Sequence, residues 1–197
     1  MLLSLAVLAL AVSLKLPFLN SSDPYPSPDA FEYINIARHV AAGDGLLISI
    51  KWHLVNDRPV VRSALGDRAC FYGLVVAAGL RLFPDADAVL VARYSTLAIS
   101  SLAALLCLWL FAHLFGWPVG LAAALLITLN PRMIISGVEP LSDQLFFFLA
   151  VAALLVFALQ KQKWPVEAWP PLLCGAICAL AQFTRPIGFL LLLALGI

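Results

Sequence analysis

The chain has 197 residues, of which 63% are hydrophobic and 12% are charged, about half the ~25% charged content of a soluble domain. Its formal net charge of +1 excludes the basic surface by which proteins bind nucleic acid. Three long stretches carry no formal charge, at residues 94–131, 144–160 and 168–184. Because a bilayer core of ~30 Å needs about 20 mostly apolar residues per helix, this pattern predicts an all-α, multi-pass membrane protein.

Residues 2–19 are the first predicted span, and Lys15 is its one charge. A cleavable signal peptide would carry basic residues ahead of its apolar region, and none precede Lys15. We therefore favour an uncleaved membrane anchor whose lysine extends to the lipid–water boundary; a cleaved signal peptide is the alternative.

A long outer loop is predicted over residues 20–87, because residues 20–88 hold 14 of the 23 charged residues. Within it, Ser27 and Pro28 are typical of a helix start, and Gly43 is typical of a helix end. A helix of about 15 residues is ~22 Å long, too short to span, and its polar face predicts a helix on the membrane surface.

The rest of this loop predicts a short strand near residues 47–50 and a second short apolar helix at 70–83. Fourteen residues favour a re-entrant or interfacial helix. Further predicted spans follow at 88–113, 118–130, 142–160 and 171–184, with the start of a sixth at 187. Since the apolar run after Arg185 is too short to span, we expect the sequence to be the N-terminal part of a longer protein.

The basic loop that follows residue 160 predicts the orientation, because short cytoplasmic loops carry an excess of Lys and Arg. Lys161 and Lys163 place this loop in the cytoplasm, although Arg132 counts against that orientation. Counting back through the spans, residues 20–88 and 131–142 share the non-cytoplasmic side.

Two groups of acids are candidates for chemistry at that side. Asp29, close to Glu32, begins the predicted surface helix and would suit a general base or a metal-binding acid at the lipid–water boundary. The simpler interpretation is an acid that stabilises the positive helix end. Glu139 and Asp143, predicted to lie one helical turn apart, would suit a divalent ion or a carboxyl of raised pKa; ordinary span-end polarity is their alternative.

Arginines are the second kind of candidate. Arg185 lies between two apolar runs in Phe-Thr-Arg-Pro-Ile-Gly, and an arginine at membrane depth is a functional-site hypothesis by default. Its guanidinium suits a lipid phosphate; an arginine in a loop at the interface is the alternative. Arg58 and Arg62 are further candidates for phosphate, although scattered charge is also typical of a solvated loop.

The histidines and cysteines predict no site. No two of His39, His53 and His113 have a zinc-ligand spacing. Cys174 and Cys178 share a helix face, and small packing residues are the favoured interpretation.

The order of several short motifs resembles the GT-C superfamily of integral-membrane glycosyltransferases, in particular its protein mannosyltransferase and aminoarabinose transferase branch. The resemblance extends over essentially the whole chain. The residues that carry it are Pro28-Asp29-Ala30-Phe31-Glu32-Tyr33, Ala42-Gly43-Asp44-Gly45, Phe71-Tyr72-Gly73, Arg81-Leu82-Phe83, Ala92-Arg93, Asn130-Pro131, Leu141-Ser142-Asp143 and Thr184-Arg185-Pro186.

This resemblance implies a hexosyl- or pentosyltransferase that uses a polyprenyl- or dolichyl-phosphate sugar, sometimes with a divalent metal ion. It implies a protein, lipid or glycan acceptor and an active site on the non-cytoplasmic face of a plasma membrane, in a bacterium the inner membrane. The catalytic acid carried over is Asp29. The family often has Asp-Glu there, whereas here Ala30 follows, and Glu32 is the nearest second acid. The acid at the fourth span is carried over to Asp143, with Glu139 as competitor.

The alternative is a non-enzymatic transporter or a flippase for lipid-linked substrates. Such a protein would use Arg185 and its broken helix for substrate passage. Internal symmetry between halves would favour it, and the sequence shows none.

Overall fold

The computed structural model describes residues 2–19, 27–49, 62–64, 69–160 and 169–195, and within these ranges the chain is predominantly helical. One 3-10 helix, Pro186–Gly188, precedes the last helix. The helices are α1 (Leu2–Leu19), α2 (Pro28–Ala42), α3 (Phe71–Leu82), α4 (Ala88–Phe115), α5 (Trp117–Leu129), α6 (Pro131–Ser136), α7 (Ser142–Gln160), α8 (Trp169–Thr184) and α9 (Phe189–Leu195).

Three of these helices are long and apolar enough to cross a membrane: α1, α4 and α7. They coincide with the predicted spans at 2–19, 88–113 and 142–160. The predicted spans at 118–130 and 171–184 are helices of 13 and 16 residues, which are ~20 and ~24 Å long. Both helices, like the seven-residue α9, are shorter than a ~30 Å bilayer core, so their membrane crossings stay predictions.

Helix α2 begins and ends at the residues that the sequence predicts. Ser27 Oγ accepts a hydrogen bond from the Ala30 N–H (3.4 Å), and Pro28 occupies the first turn. Gly43 ends the helix with a φ of 91°, a left-handed conformation that costs glycine little. The predicted helix is thus present, and its position on a membrane surface stays a prediction.

A two-residue strand follows α2, where a short strand near 47–50 is predicted. Strand β1 (Leu47–Ile48) pairs antiparallel with β2 (Arg62–Ser63), Leu47 opposite Ser63. A polar network then holds the end of β1 against α2. Ser49 N–H donates to Asn35 Oδ1 (2.8 Å), and Asn35 Nδ2 donates to Ser49 Oγ (2.9 Å).

The imidazole of His39 continues this network. Its Nε2 lies 3.2 Å from Ser49 Oγ, and its Nδ1 lies 2.9 Å from Asp44 Oδ2. His39 therefore joins the helix, the turn after Gly43 and the strand.

Helix α3 packs between α2 and the first half of α4. The rings of Tyr33 and Tyr72 meet edge to face, with centroids 5.3 Å apart. Tyr72 Oη lies 2.6 Å from Thr96 Oγ1 on α4, and burial raises the pKa of Tyr72, so its hydroxyl stays neutral. Gly73 lets the helices approach, because a Cβ there would lie 3.0 Å from Ile36 Cγ2.

Helices α4 and α5 form a tight hairpin at Gly116, whose φ is 91°. At Gly120 the two backbones are so close that a Cβ would lie 2.6 Å from the carbonyl oxygen of Leu108. Asn130 then ends α5 and caps α6, because its Oδ1 accepts a hydrogen bond from the Arg132 N–H (2.9 Å).

Lys15 does not extend to the lipid–water boundary, and that prediction is wrong. Its side chain is only 3% exposed, and Nζ donates to Ser101 Oγ on α4 (3.4 Å). The cause is Gly137, where a Cβ would meet Lys15 Cε at 2.7 Å. Because Gly137 has no side chain, the lysine has space between α1, α4 and the turn before α7.

Candidate functional site

The candidate site lies at the end of the bundle where α1 finishes and α4 and α7 begin. Arg93 Nη1 donates to the carbonyl oxygen of Leu19 (2.7 Å), so α4 satisfies one of the free carbonyls at the end of α1. Ser100 Oγ donates to the carbonyl oxygen of Gly137 (2.9 Å) in the turn before α7. These contacts bring segments that are far apart in sequence to the same end.

Arg185 lies at a break between two helices at this end. The Arg185 N–H donates to the Ala181 carbonyl oxygen (2.9 Å) and closes α8. Pro186 then starts the 3-10 helix, since proline has no N–H for a continued α-helical bond. The arginine is therefore held in extended backbone between two apolar helices.

The guanidinium of Arg185 forms an ion pair with Asp143 Oδ1, in the first turn of α7. The side chains are 47% and 45% exposed, although Asp143 Oδ1 itself is buried, so the pair is partly accessible from outside. A guanidinium has five donors, and one carboxylate oxygen leaves several of them for another anion. The pair thus brings two predicted site residues together.

A second contact joins this pair to the helix that carries Asp29. The Tyr33 hydroxyl donates to Ser142 Oγ (3.0 Å), directly before Asp143 in the chain. Both side chains are buried. Asp29 precedes Tyr33 by four residues on α2, which is ~6 Å along a helix axis. Asp29 thus lies about one helical turn from the residue that joins α2 to the start of α7.

The two acids of α2 have different surroundings. Asp29 is exposed in the first turn, whereas Glu32 is only 3% exposed. Each interacts with neighbouring groups. An exposed carboxylate is accessible to an acceptor substrate, and a buried one is better suited to holding the helix in place.

Glu139 does not share a helix face with Asp143, and the prediction of two carboxylates one turn apart is wrong. Pro140 separates Glu139 from α7, which begins at Ser142. The Leu141 N–H instead donates to the Glu139 carbonyl oxygen (2.7 Å) in a tight turn. The predicted α-helical spacing requires a continuous helix, and proline interrupts it.

The predicted divalent metal does not fit Asp143 in this arrangement, because the guanidinium of Arg185 already contacts that carboxylate and would repel a cation. Among the residues that the structure describes, no three His, Cys, Asp or Glu side chains are grouped so that they could hold a metal ion. We derive no step through a metal. A metal requirement stays a prediction.

Two predicted phosphate ligands are not placed. Arg58 lies outside the described residues, and Arg62 is described only as backbone in β2. All four cysteines are buried, and none is in a disulfide. Cys174 Sγ donates to the Ala153 carbonyl oxygen (3.6 Å). That contact agrees with their interpretation as packing residues.

Sequence reasoning missed the hydroxyl contact between Tyr33 and Ser142. Both residues belong to motifs of the resemblance, but they are 109 positions apart. No local pattern signals a pairing at that separation.

No family model, no curated protein and no solved structure matches this chain.

Proposed function

We propose that this chain is part of a multi-pass membrane glycosyltransferase. It moves a sugar from a polyprenyl- or dolichyl-phosphate donor to a protein, lipid or glycan acceptor on the non-cytoplasmic side. The support for this proposal is the predominantly helical fold, the three helices long and apolar enough to cross a membrane, the ion pair of Arg185 with Asp143 and the GT-C resemblance. No divalent ion is assigned a role.

In the proposed reaction, an acceptor hydroxyl or amine attacks the anomeric carbon of the donor sugar. Asp29 takes the proton of that acceptor as general base. The bond between the anomeric carbon and the phosphate oxygen breaks, and the lipid phosphate leaves with the electron pair. Arg185 stabilises the negative charge that develops on this leaving group.

The observation that carries the proposal is the ion pair between Asp143 and Arg185 at a helix break, joined to α2 through Ser142 and Tyr33. An inverting transfer needs a base on one side of the sugar and a cation at the phosphate on the other. Asp143 holds one edge of the guanidinium, so the remaining N–H groups have a fixed direction. Asp29 supplies an accessible carboxylate on α2.

Three apolar helices of sufficient length support the membrane part of the proposal. The remaining crossings rest on the charge-free apolar stretches, and the outward-facing site rests on the lysines at positions 161 and 163 together with the positive-inside rule. A lipid-linked donor that lies in the bilayer would then place its phosphate near the ends of α2, α7 and α8.

The decisive experiment is transfer by the full-length protein in membranes with a panel of polyprenyl-phosphate sugars. Asp29→Asn keeps the shape of the side chain and much of its capping ability. We expect transfer to fall by at least ~10²-fold, the low end for a lost general base, while expression and melting temperature stay close to wild type.

Asp85→Asn is the matched control, because Asp85 is an exposed acid in the turn between α3 and α4. It should retain full transfer. If Asp29→Asn keeps activity within a few-fold of wild type, Asp29 is not the base.

The carrier alternative is favoured by one observation, the broken helix at Arg185 and Pro186, since transporters bind substrates at such breaks. The same preparation separates the two functions. Movement of a lipid-linked sugar across vesicles without transfer to any acceptor would replace the glycosyltransferase with a carrier.

A further inference from the structure

A cavity of about 540 Å³ lies where α2, α3 and the start of α4 meet, away from the ion pair of Arg185. This volume falls within the ~300–1,000 Å³ typical of ligand pockets. Arg38 and Arg81 supply two guanidinium groups to its wall, and Asp87 supplies one carboxylate. Leu80 and Pro84 are among its apolar wall residues.

The charges of this wall favour an anion. Asp87 Oδ1 already accepts a hydrogen bond from the Leu90 N–H (2.9 Å) as the cap of α4. One N–H group of Arg81 donates to the Val40 carbonyl oxygen (2.8 Å) and leaves its other donors unused by that contact. The Arg38 side chain is exposed, and its guanidinium makes no hydrogen bond or ion pair with any residue that the structure describes.

A second, mostly apolar cavity of about 230 Å³ shares Arg38 with the first and is also lined by Asn35. Phe31 and Ile34 on α2 and Val89 on α4 form its apolar walls. A cationic compartment and an apolar compartment thus share one arginine. Their combination matches a molecule with an anionic head and a hydrocarbon chain.

We propose that this groove, formed by the two cavities, binds a lipid phosphate ester. The phosphate lies between Arg38 and Arg81, where planar guanidinium groups can donate paired hydrogen bonds to its oxygens. The first carbons of the lipid chain pack against Phe31, Ile34 and Val89.

The surroundings place the groove where such a lipid would be found. Leu82 and Phe83, directly after Arg81, are 75% and 62% exposed. Apolar side chains of this size next to arginines are typical of a surface that dips into the headgroup layer. The inference holds whether or not the chain is a glycosyltransferase.

Two sources supply this chemistry, an anionic phospholipid of the bilayer and a polyprenyl phosphate. Native mass spectrometry of the purified full-length protein with phosphatidylglycerol, a polyprenyl phosphate and zwitterionic phosphatidylcholine distinguishes them. We expect one or both of the anionic lipids, phosphatidylglycerol and the polyprenyl phosphate, to bind, and phosphatidylcholine to bind at least ~10-fold more weakly.

Arg38→Ala should weaken that binding about 10-fold, as expected for one charge-assisted contact, and Arg38→Glu should weaken it further. Arg81→Ala also removes the contact with Val40, so Arg81→Lys is tested beside it and should lose less affinity. Arg132→Ala is the matched control, because Arg132 is an exposed arginine at the start of α6.

Weaker lipid binding in the Arg38 variants, with binding retained in Arg132→Ala, supports the proposal that the groove binds the lipid phosphate. Unchanged lipid binding in both Arg38→Ala and Arg38→Glu would overturn it. Equal loss in Arg132→Ala would also overturn it, since the attraction would then be non-specific charge.

Discussion

The hydrogen bond between Tyr33 and Ser142 should couple helix α2 to the start of α7 energetically. Both side chains are about 95% buried, and the hydroxyl oxygens are 3.0 Å apart. Tyr33→Phe leaves Ser142 without this donor but keeps the edge-to-face contact with Tyr72. Ser142→Ala leaves the Tyr33 hydroxyl without this acceptor.

Each single variant should lower the free energy of unfolding by ~1–2 kcal/mol, because an orphaned buried hydroxyl costs ~1–3 kcal/mol. The double variant removes both hydroxyl groups and should cost less than the sum of the singles, with a coupling of ~1 kcal/mol. The assay is denaturant unfolding of the purified protein in mixed micelles. Tyr94→Phe is the control, since Tyr94 on α4 is exposed, and it should change stability little.

Additive losses, within ~0.3 kcal/mol, would contradict the idea that α2 is fastened to α7 through these hydroxyl groups. Transfer activity provides a second readout. If Asp29 acts from α2, loosening the helix should lower transfer more in the two single variants than in Tyr94→Phe.

Three further predictions concern packing, burial and orientation. Gly120→Ala should cost ~1–3 kcal/mol by overpacking the α4–α5 contact, whereas Gly175→Ala, with nothing within 4 Å of its Cβ, should be neutral or stabilising by up to ~1 kcal/mol; the reverse order of melting temperatures would contradict the close helix approach. Lys15→Met should keep or raise the melting temperature, because a buried ammonium in a membrane-facing bundle costs free energy, and a clear fall would assign the lysine a stabilising role. In intact cells, an impermeant thiol reagent should label Asp85→Cys but not Gln162→Cys, and the opposite pattern would invert the topology.

The sequence predicts the long helices well, because their signals are local. Charge-free runs locate α1, α4 and α7, and the capping residues Ser27 and Gly43 locate both ends of α2. The sequence also predicts the turn at Asn130 and Pro131. In each case a few adjacent residues decide the backbone conformation, so one sequence is sufficient.

The contacts of the candidate site are much less predictable. From the sequence alone, Asp143 is only one of several possible partners for Arg185. The burial of Lys15 depends on a missing side chain at Gly137, 122 positions away in the chain. The predicted Glu139–Asp143 face failed for a local reason, since Pro140 stands between the two acids and breaks the assumed helix.

The contact between Arg93 and the end of α1 also bears on how deeply α4 would lie in a bilayer. Residues 94–115 of α4 are free of formal charge and give ~33 Å of helix, close to the ~30 Å of a hydrocarbon core. In the proposed membrane orientation, the first six residues of α4 extend ~9 Å beyond this core, and Arg93, at the core end of that segment, contacts the carbonyl group of Leu19. For the proposed lipid-linked donor, the phosphate would have to reach this level from the acyl region, so we expect bilayer thickness to affect its access to the ends of α2 and α7.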